Sequence, residues 1–318
     1  MKISVALCTY NGERYIEQQL NSIVQQSYPV NEIVISDDGS TDGTLGIVTS
    51  IAENMCNDVN LQIIKHDEPV GVAKNFWECI EKCTGEIIFT CDQDDVWVKD
   101  KVEIMLRYFK EGVVLVFSDA VLVDQNLNDL HDSLWNRIHY DGNDKKLFSI
   151  LLNHNVVTGA AMAFKKSVVN ETTEVPNGFF HDQWIAFNAL RFGRIVAVSE
   201  KLIYYRQHSQ NVAGARRRSM LEKMKEYFHS FKDMNTLRKN KADYYGEYLK
   251  LAKNELPADD ISKLKECVCF WNGTTELDEK GKWSGLCWIA KNLLNGNYGR
   301  YFTGVPGALR DMILKLKN

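Results

Sequence analysis

The chain has 318 residues, 45% of them hydrophobic and 25% charged, and a formal net charge of −4. That is enough apolar material for one large domain, or one domain plus an appendage, and it excludes a disordered or fibrous chain. The charge is uneven: residues 216–241 hold nine Lys and Arg against three Asp and Glu, and residues 280–318 hold seven against one. The C-terminal part is therefore expected to face something anionic, a membrane surface or a polyanion, with an ordinary solvated helix face as the alternative.

The first residues, MKISVALCTYNGE, hold too short an apolar run for a signal peptide and no small-residue cleavage site, so they read as a first strand, Ile3 to Leu7. Ile16, Leu20, Ile23 and Val24 follow at helical spacing, and Ile33 to Ile35 form the next strand. Leu45, Val48, Ile51, Ala52 and Met55 share one helix face before a strand at Leu61 to Ile64. A helix carrying Val72, Phe76 and Ile80, a strand from Glu86 to Thr90, a helix from Asp100 to Phe109 and a strand from Val113 to Phe117 continue the alternation. Apolar strands separated by amphipathic helices predict an α/β fold, a mainly parallel sheet flanked by helices.

Beyond residue 120 the pattern loosens. Strands are expected at Gly159 to Phe164, Ile195 to Val198 and Leu202 to Tyr205, with a helix from Asp182 to Arg191. From about Ser219 the chain reads as helical and Lys-rich, which gives a domain over residues 1–215 and a helical, basic C-terminal extension over residues 216–318. The eight cysteines are scattered, and neither Cys79/Cys83 nor Cys267/Cys269 has the spacing of a zinc knuckle. Free thiols and the lack of any apolar stretch near the roughly 18 residues of a membrane span predict a cytoplasmic protein, peripheral at the inner face of the cell membrane.

In open α/β sheets, ligands bind outside the carboxyl ends of the strands. The segments there read CTYNGE (8–13), SDDGSTDG (36–43) and CDQDDVW (91–97). In an extended segment Asp92 and Asp94 project from one face about 6 to 7 Å apart, with Asp95 turned away. Two converging carboxylates repel unless a cation sits between them, and a divalent ion with hard oxygen ligands answers that need. The competing reading is a helix cap, with Asp94 or Asp95 serving the helix entered near Asp100. SDDGSTDG is equally a turn; as a calcium loop starting at Asp38 it fails, because its twelfth position is Thr49 rather than Glu. Asp38 remains an acceptor for ring N–H or ribose hydroxyl groups, and Asp42 reads as a helix cap. GxGxxG after the first strand, GxxxxGK[ST], GxSxG and HExxH are all missing.

Taken in order, CTYNGERY, SDDGSTDGT, VGVAKNF and CDQDDVW resemble the inverting glycosyltransferases of family two, with the GT-A fold, over about residues 1–210. The resemblance implies that Thr9, Tyr10, Asn11 and Glu13 surround the base and ribose of a nucleotide, and that Asp38 binds the pyrimidine ring. Lys74 stands where the family usually has Arg and lacks its planar fork. Asp92, beside Gln93 in the donor pocket, would touch ribose or the metal, and Asp94 would be the metal ligand proper. In FFHDQW (179–184), Asp182 takes the position of the catalytic base, against a bare reading as a helix cap. His208, in YYRQHSQNVAGA, would complete the shell of Mn²⁺ or Mg²⁺. Gly159 would let backbone approach the donor sugar, and Trp97 and Trp184 would stack on sugar faces, unless they are core residues.

The wording of CDQDDVW and YRQHSQNVAGA further resembles rhamnosyltransferases of bacterial surface polysaccharides. It implies dTDP-L-rhamnose or a UDP-sugar as donor and a saccharide, in particular a lipid-linked one, as acceptor. Such an acceptor would suit a C-terminus containing Trp283, Trp288, Ile289, Leu293 and Leu294. No nucleic-acid partner is expected. The alternatives are a sugar-phosphate nucleotidyltransferase, which should begin with a glycine-rich basic loop unlike CTYNGERY, and a non-catalytic carbohydrate-binding protein of the same fold.

Overall fold

The computed structural model describes residues 1–54, 59–172, 174–176, 179–208 and 234–317. It divides into two compact units, one formed by Met1–Asp144, Val156–Val175 and Phe179–Arg216, the other by Lys145–Asn155, Pro176–Gly178 and Arg217–Asn318.

The first unit opens with β1 (Ile3–Thr9), α1 (Ile16–Val24), β2 (Glu32–Asp37), α2 (Thr44–Asn54), β3 (Asn60–Lys65), α3 (Val72–Lys82) and β4 (Ile87–Asp92). Met55, expected on the face of α2, lies outside the described residues. Strands β1 and β2 are buried along their whole length, as apolar strands covered on both faces must be. Helix α1 seats Ile16, Leu20 and Ile23 in the core at helical spacing.

Strands β5 (Val96–Trp97), β6 (Val113–Val123), β7 (Asp129–Ser133), β8 (Met162–Lys165) and β9 (Arg194–Arg206) complete the sheet. Between them lie α4 (Lys101–Leu106), α5 (Leu134–Arg137), α6 (Leu147–Leu151), α7 (Ser167–Asn170) and α8 (His181–Phe192), of which α6 belongs to the second unit. The order is β3-β2-β1-β4-β8-β6-β9-β5, with β7 on β6. It is parallel over β3-β2-β1-β4, where the βα alternation was read, and mixed beyond, with β8 antiparallel to both β4 and β6. The two strands expected at 195–198 and 202–205 are one strand, β9, which runs parallel to β6 through register shifts near Asp119.

The second unit is helical over its described residues: α9 (Met234–Ala252), α10 (Ala258–Thr275), α11 (Lys282–Leu294), α12 (Asn297–Tyr301) and α13 (Val305–Lys317). Its core is aromatic, with Phe270 within ring contact of Trp271, Trp288, Tyr298 and Tyr301. Among the described residues no helix is long and apolar enough to cross a membrane.

Candidate active site

The parallel strands set the site's position. Thr9 of β1 is in register with Asp37 of β2, and Cys8 with Asp92 of β4, so three strands end level and their loops emerge side by side.

The first two loops are laced together. Asn11 has φ 48°, in the left-handed region Asn tolerates, and its N–H donates to Ser40 Oγ (2.8 Å) while its Oδ1 accepts from Thr41 N (2.9 Å). Glu13 Oε2 accepts from Gly43 N (2.7 Å), and Gly12 N donates to Thr44 Oγ1 (2.8 Å). Thr9 Oγ1 donates to Asp37 Oδ1 (2.7 Å). Tyr10 exchanges two backbone hydrogen bonds with the Gln93 amide, at 2.8 and 2.9 Å, which clamps the first loop to the third. Asp38 accepts from Val70 N (2.6 Å) and Gly71 N (3.0 Å), holding the segment that enters α3. Thr9, Tyr10, Asn11, Glu13, Asp38 and Gln93 thus stand in one network. Lys74 does not join it: its ammonium is on the surface, 3.6 Å from Glu78.

The acidic loop departs from the extended geometry expected of it. The chain leaves β4 at Asp92 and turns at Gln93 and Asp94, so Asp92 and Asp94 do not share a strand face. Asp95 caps no helix: Asp100 precedes α4, and Asp95 is buried with Oδ1 accepting from Arg206 N (2.9 Å). Its Oδ2 has no partner among the described residues. Burial, and then the charges of Asp94 and Asp182, push the Asp92 carboxyl up to about 7, against the pull of Lys101. Lys101 is itself buried, with its ammonium 2.8 Å from Ala160 O and over the Trp97 ring; burial brings it down to about 7 despite the attraction of Cys91, Asp95 and Asp92.

Asp94 Oδ2 lies 2.8 Å from His208 Nε2, a pairing across most of the domain's sequence. The imidazole stacks on Tyr15 (4.9 Å between centroids, 23°). Arg206 holds this arrangement from beneath and was not foreseen. Its buried guanidinium donates from Nε to Asp94 O (2.6 Å), from Nη1 to Gln125 O (2.7 Å) and from Nη2 to Gln18 Oε1 (2.8 Å), and lies 4.6 Å from the Tyr15 ring centroid. Its one sequence signal is its place two residues before His208.

A divalent cation fits the Asp94 and His208 donors. Neighbouring ligands of a small octahedral ion stand about 3 Å apart when each is about 2.1 Å from it, close to the separation here. Among the described residues no group of three His, Cys, Asp or Glu could hold a metal ion. The remaining ligands would then come from a substrate's oxygens, as is usual for Mg²⁺ at phosphates.

Asp182 sits in the first turn of α8, whose N-cap is Phe180, so it is not the cap. Its Oδ2 accepts from Gly159 N (3.0 Å) and its Oδ1 from Gln183 N (2.6 Å). Only glycine fits at 159, because a Cβ there would lie 2.7 Å from His181 Nε2. His181 stacks on Phe76 (3.8 Å, 16°), and burial lowers it to about 3, which keeps it neutral. Trp97 and Trp184 are buried at 3% and 1% exposure, so they are core residues and not sugar platforms. In this way the fold brings Asp92, Asp94, His208 and Asp182 to one end of the sheet.

Residues 4–173 match the family model for glycosyl transferase family 2. The dTDP-rhamnosyl transferase RfbG of Shigella flexneri is 28% identical over 221 residues, covering 66% of this chain and 74% of the relative. The chain spans 66% and 74% of the length of the first curated relatives it matches. Its fold is similar to that of S. aureus TarS 1–349 in complex with UDP, at TM-score 0.54 and 18% identity over 91% of this chain and 78% of that one. It is also similar to the mannosyltransferase PcManGT from Pyrobaculum calidifontis in complex with GDP-Man and Mn²⁺, at TM-score 0.51 and 17% identity over 99% and 85%.

Proposed function

The chain belongs to glycosyl transferase family 2, and from that premise we propose that it is a metal-dependent, inverting enzyme of surface polysaccharide synthesis, moving a sugar from a pyrimidine nucleoside diphosphate to a saccharide. The observation that carries this reading is the Asp94–His208 pair, 2.8 Å apart at the end of the parallel strands.

Asp94 and His208 hold Mn²⁺ or Mg²⁺ in this proposal, with Asp92 beside them; the bound ion supplies charge neutralisation to the departing diphosphate. The laced loops around Thr9, Tyr10, Asn11, Glu13 and Asp38 receive base and ribose, Gln93 fixes the loop that meets them, and Lys74 offers a point charge on the diphosphate side. Asp182 is the base. The N–H groups of Gly159 and Gln183 each donate to one oxygen of its carboxylate and fix its orientation. The acceptor hydroxyl loses its proton to Asp182 as its oxygen attacks the anomeric carbon, and the carbon–oxygen bond to the diphosphate breaks on the opposite face. One displacement inverts the anomeric configuration.

dTDP-L-rhamnose is the first donor to test, supported by the likeness to RfbG, and UDP-sugars follow; the acceptor proposed is a lipid-linked saccharide. Calorimetric binding and nucleoside diphosphate release should be measured across dTDP- and UDP-sugars with and without Mn²⁺. Metal-dependent binding of one donor is expected. Release of pyrophosphate from a nucleoside triphosphate and a sugar phosphate would instead identify a nucleotidyltransferase.

A further inference from the structure

Lys101, the first residue of α4, is fully buried at 0% exposure. Lysine is almost never fully buried unless it is paired. Among the described residues, however, this ammonium makes no ion pair. It donates to a backbone carbonyl, Ala160 O (2.8 Å), with the centre of the Trp97 ring 4.0 Å away, and the charges of Asp95 and Asp92 act on it only from a distance. Neither the donor pocket nor the metal pair uses it.

Ala160 lies in the 3-10 turn Gly159–Ala161, and that turn carries the N–H that orients Asp182. Three hydrogen bonds run through it in series. Lys101 Nζ donates to Ala160 O. The N–H of that same peptide group, at Ala161, donates to Thr158 O (2.9 Å), and the N–H of the Thr158–Gly159 group donates to Asp182 Oδ2 (3.0 Å). A trans peptide is rigid and planar, with its C=O and N–H pointing opposite ways. Each group therefore passes on orientation, and also polarisation, because a positive charge at the oxygen strengthens the N–H as a donor. Two peptide groups thus join the ammonium to the carboxylate. The Gly159–Ala160 group between them is held separately, with Thr90 Oγ1 donating to Gly159 O (2.5 Å), and it takes no part in the series.

We propose that Lys101 is a positioning residue for Asp182, acting through the 160–161 and 158–159 peptide groups. This rests on the reading of Asp182 as the base. A base must face the hydroxyl within hydrogen-bond reach, and a misplacement of about 1 Å can cost about a hundredfold in rate. Lys101 touches no reacting atom; it keeps the Gly159 N–H aimed at Oδ2. Thr90 precedes the acidic segment 91–97 and Lys101 follows it, so the strand end and helix start that present Asp92 and Asp94 also grip the turn that presents Asp182.

The test is read at about pH 6, below the value of about 7 to which burial brings Lys101, so that the ammonium is charged. Turnover is followed as dTDP release from saturating dTDP-L-rhamnose with saturating Mn²⁺. Lys101→Met, which keeps the length and loses the charge, should lower kcat roughly 10- to 100-fold, the scale of losing an orienting partner, while donor KM changes less than about threefold. In protein labelled with ¹⁵N-glycine, the Gly159 amide proton of this variant should move upfield, as a weakened donor must. Among the three Thr–Gly pairs of the sequence it is the one that Asp182→Asn also moves. Thr90→Val frees Gly159 O but leaves the series intact, so it should leave this resonance near the parent's and lower kcat far less. If Lys101→Met does not fold, Lys101→Gln, a neutral donor, takes its place with the same direction and a smaller size. An unmoved amide in the Lys101 variant, equal effects of Lys101→Met and Thr90→Val, or a moved amide with parent-like kcat where Asp182→Asn is slow, overturns the proposal. The amide is read without turnover, so it decides for or against Lys101 even where the donor is another sugar. Normal turnover of Asp182→Asn beside a moved amide in Lys101→Met would remove the base assignment and leave Lys101 as the residue that orients Asp182.

Discussion

Two acidic loops follow parallel strands in this protein and solve the problem of clustered carboxylates differently. In SDDGSTDG each acid is met by donors of the chain itself: Asp37 accepts from Thr9 Oγ1 and Ser40 N, Asp38 from Val70 N and Gly71 N, and Asp42 from Thr44 N and Glu13 N. In CDQDDVW, Asp95 keeps an oxygen without a partner among the described residues, and Asp92 is crowded by the charges of Asp94 and Asp182. A carboxylate already met by backbone N–H groups has its charge compensated by the chain itself and needs no cation. One that raises its neighbour's pKa awaits a cation or a proton.

The largest effect is expected at Asp182, whose charge acts on Asp92 of CDQDDVW. Asp182→Asn should preserve fold and donor affinity yet slow transfer by roughly a hundredfold to ten-thousandfold, the usual cost of losing a general base. A merely structural Asp182 would tolerate Asn with near-normal turnover, so a saturated kcat within about threefold of the parent would sink the assignment.

Next comes the metal. Asp94→Ala should erase the Mn²⁺ dependence of nucleoside diphosphate binding, a loss exceeding the roughly 10- to 100-fold typical of outer-shell partners. Asp42→Ala, in the satisfied loop, removes the acceptors of Thr44 N and Glu13 N; it should cost about 0.5 to 1.5 kcal/mol for each hydrogen bond lost and leave that dependence unchanged. If calorimetry shows the same metal response in both variants, the two loops do not differ as argued. Arg206→Lys belongs between them. It keeps the charge but loses the fork that reaches Asp94 O, Gln125 O and Gln18 Oε1. A loss of about 10- to 100-fold in Mn²⁺ affinity is expected, with far less change in nucleotide affinity measured without metal.

The parallel half of the sheet and the loops that end it were legible because their strands are apolar runs bounded by turn residues. What was missed follows from polar side chains inside elements. Ser118 and Asp119 broke the apolar run of β6, and Ser199, Glu200 and Lys201 split β9 in the reading, although the backbone ladder continues across both. Strand β7, DLHDS, has no apolar alternation to find. Arg206 looks like any surface charge until the fold buries it. In α13 the helical period is plain, but periodicity states that two faces differ and not which one turns inward; only the packing of Arg310, Asp311 and Lys315 decides that.

The smallest effect is the sharpest on the contrast between the loops, because its sign differs. Asp92 has a folded value near 7 against an ordinary 3.8, owing to burial and to the Asp94 and Asp182 charges. From about pH 4 to pH 7 the folded state holds a proton that the unfolded state has released, so this contribution to stability is full below the ordinary value and fades as pH rises through about 7. Asp42 goes the other way: burial alone would raise it, but the Thr44 hydroxyl and the Thr44 and Glu13 N–H groups together lower it. Its contribution is present above the ordinary value and is lost on acidification. In metal-free protein, Asp92→Asn should therefore leave the melting temperature near the parent's at pH 4 and raise it by a few degrees at pH 8, where about 2 to 4 °C accompanies each kcal/mol. Asp42→Asn should lower it by about the same amount from pH 8 to pH 4, the deficit shrinking only below the ordinary value of 3.8. Adding Mn²⁺ with a nucleoside diphosphate should reverse the Asp92→Asn advantage, since the parent's carboxylate then has a cation to face. Melting curves of the three proteins across that range decide it: differences of the same sign and slope would mean that the two loops are electrostatically alike.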